Sequence, residues 1–279
     1  MQHRFALLAL LLALLLGACA PLSQQAGRPS LQFQGPRIES DAFVSFDGAR
    51  LGLKHWQAEG GEPWAVIVGL HGMNDYANAF HLAAPWWASQ GIETYAFDQR
   101  GFGASPRRGV WGGKELMVED LRTLTALVRQ RHPKAIIAVA GVSMGGAVAI
   151  EAFASDRPPA ADRLILLAPG VWGWRTQPLP NRLALWLTAH TIRGKVVKPP
   201  DFLLRRIRPS DNIDELRAMG RDPMLIWGAR PDAIYGLVSL MQDASDDLGK
   251  VGGPVIYMSG AHDQIITARP TRAAVRHLP

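Results

Sequence analysis

The sequence predicts an α/β protein: a mostly parallel, doubly wound sheet with a helical cap inserted late in the chain. Three observations predict it. From Trp64 to Leu167, short apolar runs of the buried-strand kind alternate with helix-like stretches, and strands alternating with helices form a parallel sheet covered on both faces. Gly141-Val142-Ser143-Met144-Gly145-Gly146 stands where one such strand turns into a helix. After Ala168-Pro169-Gly170 the alternation breaks, and it resumes only near Arg230.

The chain opens with Arg4, the unbroken apolar run Phe5 to Leu16 and the small pair Gly17-Ala18. That is the order of a secretory signal peptide over residues 1–18, and about a dozen apolar residues fall short of the roughly 20 that span a bilayer. Leu16-Gly17-Ala18-Cys19 resembles a bacterial lipobox, which implies that Cys19 is lipidated. The alternative is a plain secretory signal. Cys19 is the only cysteine, so no internal disulfide can form. By the same resemblance, Ala20 after the cysteine places the protein at the outer membrane of a bacterial envelope. Residues 19–40 read as a tether, with Pro21 to Arg37 rich in Gln, Ser, Gly and Pro.

Within the first part of the core, residues 41–170, Ala42 to Phe46 and Leu51 to His55 form a hairpin about Asp47-Gly48. Trp64 to Leu70 is a buried strand ending in His71-Gly72, Phe80 to Ser89 a helix, Glu93 to Phe97 a strand and Leu116 to Arg131 an amphipathic helix. The strand Ala135 to Ala140 runs into the Ser143 turn, its helix follows to Phe153, and Arg163 to Leu167 is a further strand. Residues 171–229, with Trp172, Trp174, Trp186 and several prolines, are the cap over an apolar pocket; the alternative is a helical excursion packed on the core. Residues 230–279 return to the core, with helix Ala233 to Ala244 and strand Pro254 to Met258 before Ser259-Gly260-Ala261-His262-Asp263.

Of the 279 residues 48% are hydrophobic, enough for one folded core, and the net charge of +6 is spread over the chain. Nothing interleaves aromatics with the basic residues as a nucleic-acid surface would, so nucleic acid is excluded as a partner. Attraction to anionic lipid head groups is the alternative to a merely solvated basic surface.

A serine on a strand-to-helix turn is forced to the rim of the sheet, where flanking glycines let the neighbouring backbone approach. Ser143 is therefore the candidate nucleophile. It needs a neutral imidazole to take its proton and a carboxylate to orient that imidazole. The ordered pieces His71-Gly72-Met73, Asp98-Gln99-Arg100-Gly101-Phe102-Gly103, Gly141 to Gly146, Arg221-Asp222-Pro223 and Gly260-Ala261-His262-Asp263 resemble the α/β-hydrolase family, and within it the monoglyceride lipase and lysophospholipase-like serine hydrolases. The resemblance implies Ser143 as nucleophile, Asp263 as the triad acid and an oxyanion hole from the amides of Met73 and Met144. It implies a substrate that is an acyl ester or lipid and a reaction needing neither cofactor nor metal. Alternatives are a peptidase or acyltransferase using the same serine, or a non-catalytic envelope lipoprotein; Asp263 alternatively caps a helix.

The histidine departs from the family pattern. His55 lies in the hairpin, His81 in the first helix and His190 in the cap, while His132 and His277 end helices running back toward the opposite rim, roughly 17 to 20 Å away. His71 fixes its loop, and His262 adjoins Asp263 too closely in sequence to be oriented by it. His262 and His190 remain the fallback candidates. The expectation is a chain lacking the final strand, the catalytic-histidine loop and the last helix, and hence nearly inactive; the alternative is a natural pseudo-enzyme.

Overall fold

The computed structural model of the chain describes residues 20–198 and 209–278. The stretch expected as a signal peptide, residues 1–18, the expected lipidation site Cys19 and the Arg205-Arg206-Ile207-Arg208 cluster lie outside the described residues. Eight strands form one sheet in the order β1-β2-β3-β5-β4-β6-β7-β8. They are β1 Arg37–Ile38, β2 Ala42–Val44, β3 Arg50–Trp56, β4 Ala65–Leu70, β5 Ile92–Phe97, β6 Ile136–Val142, β7 Arg163–Leu167 and β8 Val255–Met258. From β1 to β5 the pairing is antiparallel, and from β5 through β4, β6 and β7 to β8 it is parallel.

Seven helices are described: α1 Ala83–Ser89, α2 Lys114–Arg131, α3 Met144–Phe153, α4 Leu179–Thr191, α5 Ile213–Met219, α6 Pro231–Asp247 and α7 Ala268–Val275. The stretch expected as one helix from Phe80 is split into a 3-10 turn, Ala77–Phe80, and α1. Pro85 is the reason: it is tolerated in a first turn but not deeper in a helix, so the helix cannot start earlier. His81 thus lies between the two pieces and not within a helix.

Every residue of β4 is buried, as a central parallel strand requires. One face of the sheet packs Val66, Val68, Tyr95, Val139 and Leu166 beneath side chains of α2, α3 and α6, and the other packs Ile67, Ala96 and Ala140 against Phe80 and Ala84. The hairpin is tied to α2 by one buried cation. Arg100 donates to both oxygens of Asp47 at 2.8 and 2.9 Å and to both oxygens of Asp120 at 2.7 and 2.8 Å. Burial alone would raise the Asp47 carboxyl, but the Arg100 bonds and the amides of Gly27 and Ala49 outweigh it and hold it at about 2.

The segment read as a tether is held against the body at three points. Gln24, buried, donates from its side chain to the carbonyls of Pro106 and Val110 and from its amide to that of Trp111. The Gly27 amide donates to Asp47, and Arg193 in the cap donates to the carbonyl of Ala20.

Candidate active site

The chain steps from β4 out to β5, back across to β6, and then on to β7 and β8. The reversal puts the carboxyl ends of β4 and β6 side by side, where ligands bind in open α/β sheets. His71-Gly72-Met73 leaves one of these ends and Ser143 the other.

Ser143 stands alone between β6 and α3, at φ 49° and ψ −111°, a conformation costly for any residue with a Cβ. The surroundings hold it there: its amide donates to the Leu167 carbonyl at 3.0 Å, and its carbonyl accepts from Gly170 at 2.9 Å and Ala147 at 3.2 Å. The neighbouring glycines are sterically required. A Cβ on Gly141 would lie 2.6 Å from the Gly145 carbonyl oxygen, one on Gly145 2.4 Å from that of Leu70, and one on Gly146 2.7 Å from Cβ of Pro169.

Two amides are candidates for binding an oxyanion. Met144 is the first residue of α3, so its N–H has no intrahelical acceptor. Among the described residues no backbone carbonyl takes the Met73 N–H, and the preceding residue is beside the nucleophile, since a Cβ on Gly72 would lie 3.5 Å from Cβ of Ser143. His71 supports this loop from behind. It is fully buried, its Nδ1 donates to the Gly72 carbonyl at 2.7 Å and its Nε2 accepts the Gln99 amide at 2.9 Å. Burial lowers its pKa to about 4, against the pull of the Gly72 carbonyl and Asp98, so it is neutral with both nitrogens occupied. Asp98 is equally structural, accepting the amides of Ala77 and Ala104 at 2.7 Å each.

Asp263 follows β8. Its Oδ1 accepts the amides of Ile265 and Ile266, both at 2.8 Å, which pins the loop, while α7 starts later behind Thr267. The carboxylate thus holds a turn and does not cap a helix. No described histidine is hydrogen-bonded to Asp263 or Ser143. His55 and His132 converge on Oε1 of Glu93 at 2.7 and 3.3 Å, near the amino-terminal end of β5. The carbonyl of His277 lies against Gly249, before β8, also at the far rim. His81 pairs with Glu215 at 3.3 Å, His190 stacks on Trp186, and His262 is exposed. Among the described residues no group of three or more His, Cys, Asp or Glu is arranged to hold a metal ion.

The cap is fastened beside Met73. The Ile226 amide donates to the Asn74 carbonyl at 3.0 Å, the Tyr76 hydroxyl to Asp222 at 2.7 Å and Arg108 to the carbonyl of Pro223 at 2.7 Å. Asp75, missed by the sequence reading, lies in this junction. Burial raises its pKa to about 6, with Asp222, Glu215 and Asp98 adding to the rise and the Tyr76 amide opposing it. Beneath the cap, Met73, Phe102, Val110, Trp111, Ile226 and Ala233 help to line a mostly apolar cavity of about 30 Å³. A larger hollow of about 500 Å³ lies elsewhere, between α2 and residues 157–160.

Sheet order, strained serine turn and inserted cap define an α/β hydrolase. The chain belongs to the family described as serine aminopeptidase, S33, whose model matches residues 61–279. It is similar to the monoacylglycerol lipase of Mycolicibacterium smegmatis, 26% identical over 84% of this chain and 82% of the relative. It is also similar to the monoglyceride lipase of Rattus norvegicus, 30% identical over 81% of this chain and 74% of the relative. Among solved structures, a soluble variant of the Saccharomyces cerevisiae monoglyceride lipase superposes with a TM-score of 0.68 at 20% identity, covering 91% of this chain and 86% of that one.

Proposed function

We propose that the protein is a serine hydrolase of acyl esters, with monoacylglycerols or lysophospholipids as the substrate class. The observation that carries this reading is Ser143, held at a strained φ at the sheet's reversal point beside two amides free to bind an oxyanion. Similarity to the two lipases supports the ester class. In the proposed reaction Ser143 Oγ attacks the ester carbonyl, and an imidazole takes the hydroxyl proton and returns it to the departing alcohol. Water then attacks the acyl-enzyme with the same imidazole as base. The Met73 and Met144 amides bind the oxyanion; loss of one such donor typically costs about 3 kcal/mol of barrier. Asp263, through the oxygen not bonded to Ile265 and Ile266, orients the imidazole.

None of the described histidines is hydrogen-bonded to Ser143 or Asp263, so the 279-residue chain in this arrangement is proposed to be nearly inactive. It should respond to an imidazole added from outside. The expected result is that millimolar imidazole accelerates p-nitrophenyl ester hydrolysis by wild type well above the rate with Ser143→Ala or Asp263→Asn. Equal rates in all three would remove both residues from the mechanism. Running the same assay on an aminoacyl p-nitroanilide separates the ester reading from a peptidase, the second reading that the family's description supports. Lipidation of Cys19 and residence in the bacterial envelope are part of the proposal: a clickable fatty acid should tag wild type and not Cys19→Ser, and an untagged wild type would overturn it.

A further inference from the structure

The cavity beneath the cap has one charge on its wall. Among the described residues that line it, Arg230 is the only charged one, and the others are apolar, glycine or Asn74. A short bridge within the cap sets it there. Val197 and Ala229 exchange amide bonds at 2.9 and 3.0 Å, so Val196 comes opposite Arg230 and Lys198 opposite Gly228. The Lys198 stem packs over Gly228, where a Cβ would lie 3.1 Å from Lys198 Cγ. Val196 both lines the cavity and is 62% exposed, so the cavity reaches the surface on this side.

Arg230 is oriented as well as neutralised. Its Nε and Nη2 donate to the two oxygens of Asp232 at 2.9 and 2.6 Å, and the two side chains are 13 and 0% exposed. A guanidinium gripped on two nitrogens is fixed in its plane, and the third, Nη1, has no acceptor among the described residues. A mostly buried donor left without an acceptor is costly until something completes it. Two more cations border the cavity. Arg108, next to the lining residue Gly109, donates to the carbonyls of Pro223 and Leu225 and to no carboxylate among the described residues, and Lys198 is exposed without an ion-pair partner. Asp232 therefore cancels one positive charge of three.

Met73, whose amide binds the oxyanion in the proposed reaction, lines the same cavity, so a group held by Met73 and one held by Arg230 belong to one short stretch of substrate. At about 30 Å³ the space holds little more than a water or two. It is far too small for an acyl chain and takes the small, alcohol end of the ester. A neutral glycerol leaves the positive charge unanswered, whereas a phosphate on that glycerol meets Nη1 in a charge-assisted bond shielded from water. We infer that Arg230 reads a phosphate on the alcohol part of the ester, so that an acylated glycerol phosphate is preferred over the neutral acylglycerol for which the two relatives are named. This rests on the hydrolase reading and narrows it.

The test is binding, which needs no turnover. An alkyl-ether glycerol phosphate and the matching alkyl-ether glycerol, neither of which can be hydrolysed as an ester, are titrated calorimetrically into the protein below their micelle concentrations. Wild type should bind the phosphate-bearing ether at least about tenfold more tightly. Arg230→Met with Asp232→Leu removes both charges so that neither is stranded; it should bring the two affinities within about twofold by weakening the phosphate ether alone. Arg230→Lys keeps the charge without the fork and should retain only part of the preference, and it decides the matter if circular dichroism shows the double variant unfolded. Inorganic phosphate should not bind at concentrations that saturate with the ether phosphate. Equal wild-type affinities, a full preference surviving in the variants, or inorganic phosphate bound as tightly as the ether phosphate would overturn the inference. Fluorophosphonate labelling of Ser143, with imidazole present, is read in parallel: an unlabelled wild type that keeps the binding preference would sink the hydrolase reading and leave the phosphate site standing.

Discussion

Replacing Gly145 by alanine sets two effects of opposite sign against each other. The position is inside α3, where alanine is favoured over glycine by about 1 kcal/mol through backbone entropy. Against this, the added Cβ would lie 2.4 Å from the carbonyl oxygen of Leu70 and 2.6 Å from its carbonyl carbon and Cβ. All three atoms belong to the central strand β4 or start its side chain, so no flexible group can swing away. Reaching even a tight contact of about 3 Å requires helix and strand to separate by about 0.6 Å, and overpacking of this sort costs about 1–3 kcal/mol. The clash should win, leaving Gly145→Ala less stable by about 1–2 kcal/mol. The separation would also carry the Met144 amide away from Ser143, where misplacement by about 1 Å can cost 100-fold. Urea unfolding followed by circular dichroism reads the first effect, and the rate of fluorophosphonate labelling at Ser143 the second. Gly72→Ala is the control, because its Cβ would meet nothing nearer than 3.5 Å; its midpoint should stay within about 0.5 kcal/mol of wild type. A Gly145→Ala protein more stable than wild type would refute the close approach of α3 to β4.

Arg100→Met should cost about 3–5 kcal/mol, since it strands Asp47 and Asp120 in the interior without their cation; a loss below 1 kcal/mol in urea would contradict the buried pairing. Asp75 has a folded pKa of about 6 against about 3.9 unfolded, so its contribution to stability is complete below about pH 4 and is lost as pH rises through 6. Wild type should therefore weaken relative to Asp75→Asn between those limits, by on the order of 1–2 kcal/mol after allowance for partial exposure; parallel Tm profiles for the two proteins would show the carboxyl to be solvated. Tyr76→Phe removes the hydroxyl bond to Asp222, about 1–2 kcal/mol of cap attachment, and limited proteolysis within residues 171–229 should speed up while cleavage elsewhere does not. Unchanged cleavage there would mean that Ile226 and Arg108 suffice to hold the cap.

The parallel core could be read from the chain because burial on both faces writes itself as continuous apolar runs, as in Ala65 to Leu70. The elbow was legible for a steric reason: Gly141, Gly145 and Gly146 have no room for a side chain, so their spacing around Ser143 carries the geometry. What stayed hidden depends on partners far along the chain. Gln24 looks like one more polar linker residue, and only its carbonyl partners at Pro106 and Val110, 82 and 86 positions away, bury it. Asp75 carries no local signature either, because its raised pKa comes from burial beneath the cap and from Asp222 and Glu215 beyond it. Helix direction is legible too: the helices that end in His132 and His277 run back from the Ser143 edge, and both residues lie at the far rim.

The Gln24 anchorage also makes the N-terminal segment a mechanical element. Tension on the chain ahead of Ala20 would not spread evenly through the body. It would enter first at two of the three attachments, the Arg193 bond to Ala20 and the Gln24 bonds to Pro106, Val110 and Trp111. The second site is the loop whose Arg108 holds the cap at Pro223 and Leu225. Pulling on the N-terminus therefore loads both ends of the cap's attachment before it reaches the sheet, whose central strands are clasped on both edges by parallel ladders. A protein tugged by its leading end would loosen at the cap first and unfold last at β4.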